Sequence, residues 1–264
     1  MYNQIMNKVN YAWERFNNSQ LAKIKKRFAL EEIVTKGKDE FEKQLFLKEW
    51  VYESIGRGIP AKDYSYKSAT EILVETRNGK NFYCTQFAFV FLQCSLSLGW
   101  HSRKLSIDID HALGEESLHH GVADIWSNQF KKWYVVGPMN NLHYEKNGIP
   151  LNALEIRSEY LKDINKRGDV KSVIGNKKEC LSSDWSLKKP YNPSNYFWIA
   201  VSLRNNFMER PGIFETKMLL WVDRYNKNKI WYKGGNAEEE SHKHPMYKGQ
   251  FIKTNDQKLF FPEM

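Results

Sequence analysis

Cysteine is scarce in this chain. Cys84, Cys94 and Cys180 are the whole set, an odd count at spacings that suit neither a disulfide framework nor a zinc site. Such usage fits a reducing compartment, or an exported protein that does without disulfides. Long apolar runs are missing too, since none approaches the roughly 18 residues that a membrane-spanning helix needs. The opening stretch MYNQIMNKVNYAWERF has no basic segment followed by an apolar core. No secretory signal is therefore expected in the sequence as it stands, and the compartment stays open between cytoplasm and export with a leader removed. No element gathers basic residues with interleaved aromatics. The net charge of +9, from 40 basic and 31 acidic residues, is spread through stretches such as AKIKKRF, NKKEC and SLKKP. That pattern reads as solvated surface, and a nucleic-acid partner is not expected. There is no internal repeat and no low-complexity tract.

What is present is enough for a core. Hydrophobic residues make up 41% of 264 positions and aromatics 14%, which argues against disorder. Apolar residues recur at three- and four-residue spacing in NQIMNKVNYAWERF and DEFEKQLFLKEWVYESI, so residues 1–64 read as a helical N-terminal segment, with Gly56 and Gly58 ending the second helix. Ser68-Ala69-Thr70-Glu71 has the form of a capping box at the start of another helix. After the turn at Asn78-Gly79, Cys84, Phe87, Phe91, Cys94 and Leu98 keep a helical period, and Gly99 is placed to end it. The period then changes. RKLSIDI alternates, and HHGVADIWS and KWYVVG read as two strands of an antiparallel hairpin turning at Asn128 to Lys131. Residues 161–195 are lysine-rich, poorly patterned and hold Pro190 and Pro193, and read as a linker or excursion. Residues 196–264 are β-rich, with YFWIAVSLR, TKMLLWVDRY, KIWYKG, GQFIKT and KLFF as strands. They either extend the hairpin's sheet or form a small module. The chain could also be part of something longer.

Cys84 stands at the start of a buried helix just after a turn. Unsatisfied N–H groups and the positive end of the helix dipole favour thiolate there, and the same N–H groups can donate to an oxyanion. A thiolate nucleophile also needs a base and a group that orients the base. The competing reading of Cys84 is a small core residue.

The stretch NGKNFYCTQFAFVFLQCSLSLGWHSRKL resembles the nucleophile helix of the transglutaminase-like superfamily. HHGVADIWSNQFKKWYVVGPMNNLHYEKNGIPLNALEI resembles that family's histidine strand, hairpin and third-residue strand. The motifs occur in the family order over about residues 65 to 157, and residues 65–160 are taken as the core. The resemblance implies an α+β fold of papain-like arrangement, a nucleophile helix packed on an antiparallel sheet. It implies Cys84 as nucleophile and His120 as base, with acyl transfer through a thioester and no metal or organic cofactor. The implied partner is a peptide or protein substrate, with a glycan-linked one conceivable. His119 is the competitor to His120, but strand alternation places it on the other face.

The family's third residue, an aspartate, falls here on Gly137, which has no side chain to offer. Asn140 or Asn141 could fold back past Pro138 as a substitute orienter. Asp124 lies four residues along the strand from His120, about 13 Å at strand rise, and is too far. Two readings remain: a Cys–His hydrolase of reduced rate, and an inactive domain that keeps the cleft for binding peptide or glycan. Trp126, His143 and Tyr144 are candidates to line the cleft, Trp126 being equally a core residue. Arg103 is expected to anchor structure through a carboxylate. Asp108, Asp110 and His111 could ligate a metal but read as a solvated loop, and SHKHP near the end reads as exposed.

Overall fold

The computed structural model describes residues 9–58, 68–110, 119–162, 170–175, 179–180, 193–208, 217–229 and 251–264. Three helices come first: α1 (Ser19–Arg27), α2 (Leu30–Val34) and α3 (Glu40–Ser54). Asn18 caps α1 by accepting from the Gln20 N–H, and Lys25, Lys26 and Arg27 sit at the negative end of its dipole. Asp39 caps α3 by accepting from the Glu42 N–H. The short strand β1 (Gly56–Arg57) pairs in parallel with β2 (Asn81–Phe82), and α4 (Ala69–Arg77) lies between them in sequence. The expected capping box of Ser68 and Glu71 opens α4.

Helix α5 (Cys84–Ser97) is buried from Thr85 to Ser97. Its sequence is apolar nearly all round, which suits a helix enclosed on every side. Gly99, at φ +85°, ends it with the left-handed turn that glycine adopts without strain. The sheet follows: β3 (Ser102–Asp108), β4 (His120–Ser127), β5 (Lys132–Gly137), β6 (Leu142–Lys146) and β7 (Ile149–Pro150), then helix α6 (Ala153–Lys162), β8 (Val170–Ile174) and β9 (Glu179–Cys180). After a 3-10 turn at Pro193–Phe197 come β10 (Trp198–Ser202), β11 (Met218–Trp221), β12 (Phe251–Thr254) and helix α7 (Gln257–Phe260). All strands but the first two form one ten-stranded sheet in the order β12-β11-β10-β3-β4-β5-β6-β8-β9, with β7 on β6. Only the β11–β12 pair in it is parallel.

The α+β class is as the sequence implied, with α5 packed on a largely antiparallel sheet. One face carries Ala123, Ile125, Tyr134 and Val136 against α5 and the N-terminal helices. The other carries Leu105, Ile107, Val122 and Val135 against α6 and α7 residues such as Ile156 and Phe260. Alternation along β3, β4 and β5 assigns these two sets. The β4–β5 hairpin turns where expected, with Ala123 opposite Val136. The later strands extend the same sheet.

Three local expectations fail. Residues 9–18 are not helical: Ala12 bridges to Arg204, Tyr11 stacks on Trp13 with ring centroids 5.0 Å apart, and Trp13 stacks on Trp133 at 6.1 Å. Tertiary burial of two aromatics at a spacing of two overrides the helical period. KLFF is not a strand but most of α7, because Asp256 caps it by accepting from the Lys258 and Leu259 N–H groups. Of the two readings of residues 161–195, linker or excursion, the linker does not hold for Val170–Ile174 and Glu179–Cys180, which supply β8 and β9 to the sheet. His111, SHKHP and nearly all of KIWYKG lie outside the described residues.

Candidate active site

The N-terminus of α5 rests on the start of β4, and Gly121 sets how closely. A Cβ at 121 would lie 2.8 Å from Thr85 Oγ1, 2.9 Å from Thr85 Cα and 3.1 Å from Thr85 N. Only glycine lets the helix backbone come this near. The approach brings the Gly121 N–H to 3.2 Å from Cys84 Sγ, to which it donates. At the helix start, the Gln86 side chain accepts from the Tyr83 N–H at 3.2 Å. The N–H groups of Cys84 and Thr85, in the first turn, have no intrahelical acceptor.

Cys84 is half-buried and lies close enough to the His120 imidazole for each to shift the other's protonation. Burial alone would raise the thiol pKa. The charge of His120 and its hydrogen bond, the charge of His119 and the Gly121 N–H together outweigh that and bring it to about 6. Burial would lower His120, but the Cys84 thiolate, by charge and hydrogen bond, and the Asp108 carboxylate raise it. The two groups therefore stabilise each other as thiolate and imidazolium. Cys94, on the same helix, shows the contrast: it is buried with no such partner, and burial pushes its thiol far up.

His119 stands one residue before β4 begins, so strand alternation does not carry it away. Its Nδ1 lies 3.1 and 3.3 Å from the two Asp108 carboxylate oxygens. Asp108 ends β3, where Ile107 pairs with His120 and Ser106 with Gly121. Lys104 and Ser106 share its face, joined by a 3.0 Å hydrogen bond, and both are buried. Burial lowers the Lys104 pKa to about 8, against the nearby negative charges of Cys84 and Asp108. Lys104, Ser106 and Asp108 of RKLSIDI thus do not face solvent; they lie on the sheet face that α5 covers. Asp108 is a buried strand residue rather than part of a solvated loop. Among the described residues no cluster of three acidic, histidine or cysteine side chains could hold a metal.

The other sequence candidates are placed elsewhere. Gly137 is buried where β5 gives way to a 3-10 turn, Pro138–Asn140. Asn140 is buried in this turn. Asn141 adopts φ +52° to close the turn; its carbonyl accepts from the Gly175 N–H at 2.9 Å, and its Oδ1 is buried without a partner. Asp124 is committed to Arg103 through a 2.6 Å ion pair with both side chains fully buried. Arg103 also lies 4.0 Å over the Trp133 ring, the structural anchor expected of it. His143 is buried between Lys48 Nζ at 3.0 Å and Glu145 Oε1 at 2.9 Å. Tyr144 packs edge-on against Tyr196 at 5.7 Å, and Trp126 against Trp133 at 5.9 Å. All three are buried side chains. The sequence reading missed Gly121, Lys104 and Ser106, and took Asp108 for a loop residue. The adjacent HHG, with the alternating polar residues of β3, was the signal available for them.

No family model matches this sequence, and no curated protein does. Among solved structures, a cysteine-protease candidate from Cytophaga hutchinsonii is 16% identical at a TM-score of 0.34, over 46% of this chain and 37% of that one. The chain thus spans just over a third of that protein. Legionella pneumophila LapG is similar at the same identity and TM-score. Its EGTA-treated form matches over 59% of this chain and 78% of that one, and its calcium-bound form over 64% and 91%. Likeness at this level is too low to carry function, which rests on the geometry above. None of the described helices is long and apolar enough to cross a membrane.

Proposed function

We propose that the chain is a transglutaminase-like thiol hydrolase, a protease or amidase acting through a Cys84 thioester. The observation that carries this reading is the Cys84 thiol at a helix N-terminus, accepting from the Gly121 N–H at 3.2 Å and set beside His120, which with that N–H lowers the thiol to about 6. In this mechanism the Cys84 thiolate attacks the carbonyl carbon of a peptide or carboxamide. The first-turn N–H groups of α5 donate to the oxyanion that forms. The His120 imidazolium gives its proton to the departing amine as the C–N bond breaks. Neutral His120 then takes a proton from water, whose oxygen attacks the thioester and returns the thiolate. A lysine amine in place of water would give transfer instead, and hydrolysis is the favoured outcome by analogy with the resembled family. The protein or peptide substrate could carry glycan. No aspartate stands at position 137, so the rate is expected to lie below that of a full triad.

The second reading, an inactive domain that binds peptide or glycan in the same cleft, is favoured by Gly137, which offers no side chain to orient the histidine. Incubation with a mixed library of fluorogenic peptides separates the two. Cleavage abolished by Cys84→Ser, with a mass-trapped acyl adduct on Cys84, supports the hydrolase. Saturable peptide binding without any adduct would leave the binding module.

A further inference from the structure

The residue that the third position lacks has a counterpart on the other side of the histidine strand. Gly137 belongs to β5, which flanks β4 on one edge; β3 flanks it on the other. At the end of β3 stands Asp108, buried to 1% exposure, with both carboxylate oxygens within reach of His119 Nδ1. The strand register sets Ile107 beside His120, so Asp108 is one residue from the base's own pairing partner. The ladder between β4 and β5 begins only at Ala123 and Val136. His120 is thus held from the β3 side, and the β3 side is where the carboxylate lies. We propose that Asp108 is the positioning residue of this site, fixing the His119–His120 pair over Cys84 and supplying from β3 part of the negative charge that Gly137 does not supply from β5.

The groups facing His120 can be named from each element. Helix α5 contributes Cys84, β3 contributes Asp108 and the buried Lys104, and its own strand's start contributes His119. Among these groups Asp108 and the Cys84 thiolate favour imidazolium. Cys84 is the other member of the reacting pair, which leaves Asp108 as the fixed counter-charge. The carboxylate acts on His119 directly and on His120 through charge and through the backbone between the two histidines. This inference rests on the proposal that Cys84 and His120 are the reacting pair, but its test does not require turnover.

The test follows the histidine titrations by NMR in the full chain, with the His120 resonance assigned by its loss in His120→Gln. In Asp108→Asn, which keeps size and an acceptor oxygen, the His120 midpoint should fall by about one pH unit, the lower end of the effect of a neighbouring opposite charge. Asp108→Glu should restore most of it. As a second variant, His119→Gln should raise the Cys84 thiol midpoint, read by the pH dependence of alkylation, because the charge of His119 is removed. An unmoved His120 midpoint in a folded Asp108→Asn chain overturns the proposal, as does an unmoved Cys84 midpoint in His119→Gln. Failure of the hydrolase reading looks different: the histidine midpoints shift as described, but no peptide is cleaved.

Discussion

Replacing Gly121 with alanine adds one methyl group at the point where helix and strand touch. That carbon would meet Thr85 Cα at 2.9 Å and Thr85 N at 3.1 Å, where ordinary contact begins at 3.4 Å. Both are backbone atoms of the first turn of α5 and cannot rotate aside as the Thr85 hydroxyl could. The helix N-terminus must retreat by about half an ångström, in the manner of an overpacked core. Because α5 is buried along its length, that movement is resisted and should cost about 1–3 kcal/mol. The same retreat lengthens the 3.2 Å contact from the Gly121 N–H to Cys84 Sγ. Losing one donor to a charged acceptor costs about 1.5–3 kcal/mol, and one pKa unit corresponds to about 1.4 kcal/mol. The Cys84 midpoint should therefore rise by about one to two units, with a loss of alkylation at lower pH of about tenfold or more. Urea unfolding and the pH dependence of iodoacetamide alkylation measure the two effects on one sample. A Gly121→Ala chain as stable as the parent, with an unchanged thiol midpoint, would refute the close approach and the hydrogen bond derived from it.

At Gly137 the space is different: a Cβ would meet only Leu142, at 3.7 Å, and no positive φ opposes a side chain. Gly137→Asp should fold, and because Asp108 supplies part of the counter-charge, it should raise turnover by less than about tenfold, far short of the roughly 10⁴ associated with that position in a serine triad; steady-state kinetics reads this. The buried His143, held to about 4 by burial and by Lys48, is neutral in the fold but takes a proton below about 6.5 when unfolded. Its contribution to stability is full above about pH 6.5 and is lost as pH falls toward 4, by about 3 kcal/mol; urea midpoints across that range should show the slope in the parent and lose it in His143→Gln. Arg103→Met leaves the fully buried Asp124 carboxylate without its cation and should cost about 3–5 kcal/mol in chemical denaturation, with Asp124→Leu added to it recovering most of the loss.

The parts of this fold that could be read from the sequence were those with local causes. The capping box at Ser68 and Glu71, the turn at Gly99 and the β4–β5 hairpin each follow from short stretches whose neighbours are near in sequence. Residues 9–18 failed because Trp13 finds its partner at Trp133, more than a hundred positions away, and no period reports that. Cys84 and His120 could be singled out because motif spacing carries them, and the fold sets the two side by side. The surroundings of the pair could not be read in this way. Lys104, Ser106 and Asp108 alternate with apolar residues as any half-exposed strand does, and nothing local says that a helix N-terminus covers their polar face. His119 was set aside by alternation, which does not apply to a residue just outside the paired strand. His143, Tyr144 and Trp126 looked like cleft residues by proximity in sequence, yet each side chain turns into packing.

The central claim is that Cys84 is an activated nucleophile and His120 activates it. The most direct measurement is the rate of Cys84 alkylation by iodoacetamide against pH, followed by peptide mass so that Cys94 and Cys180 do not contribute, in the parent and in His120→Ala. The account predicts a midpoint near 6 in the parent and, without His120, a midpoint at or above the ordinary thiol value of about 8.5. A slow reaction with an ordinary midpoint, the same with and without His120, would contradict it.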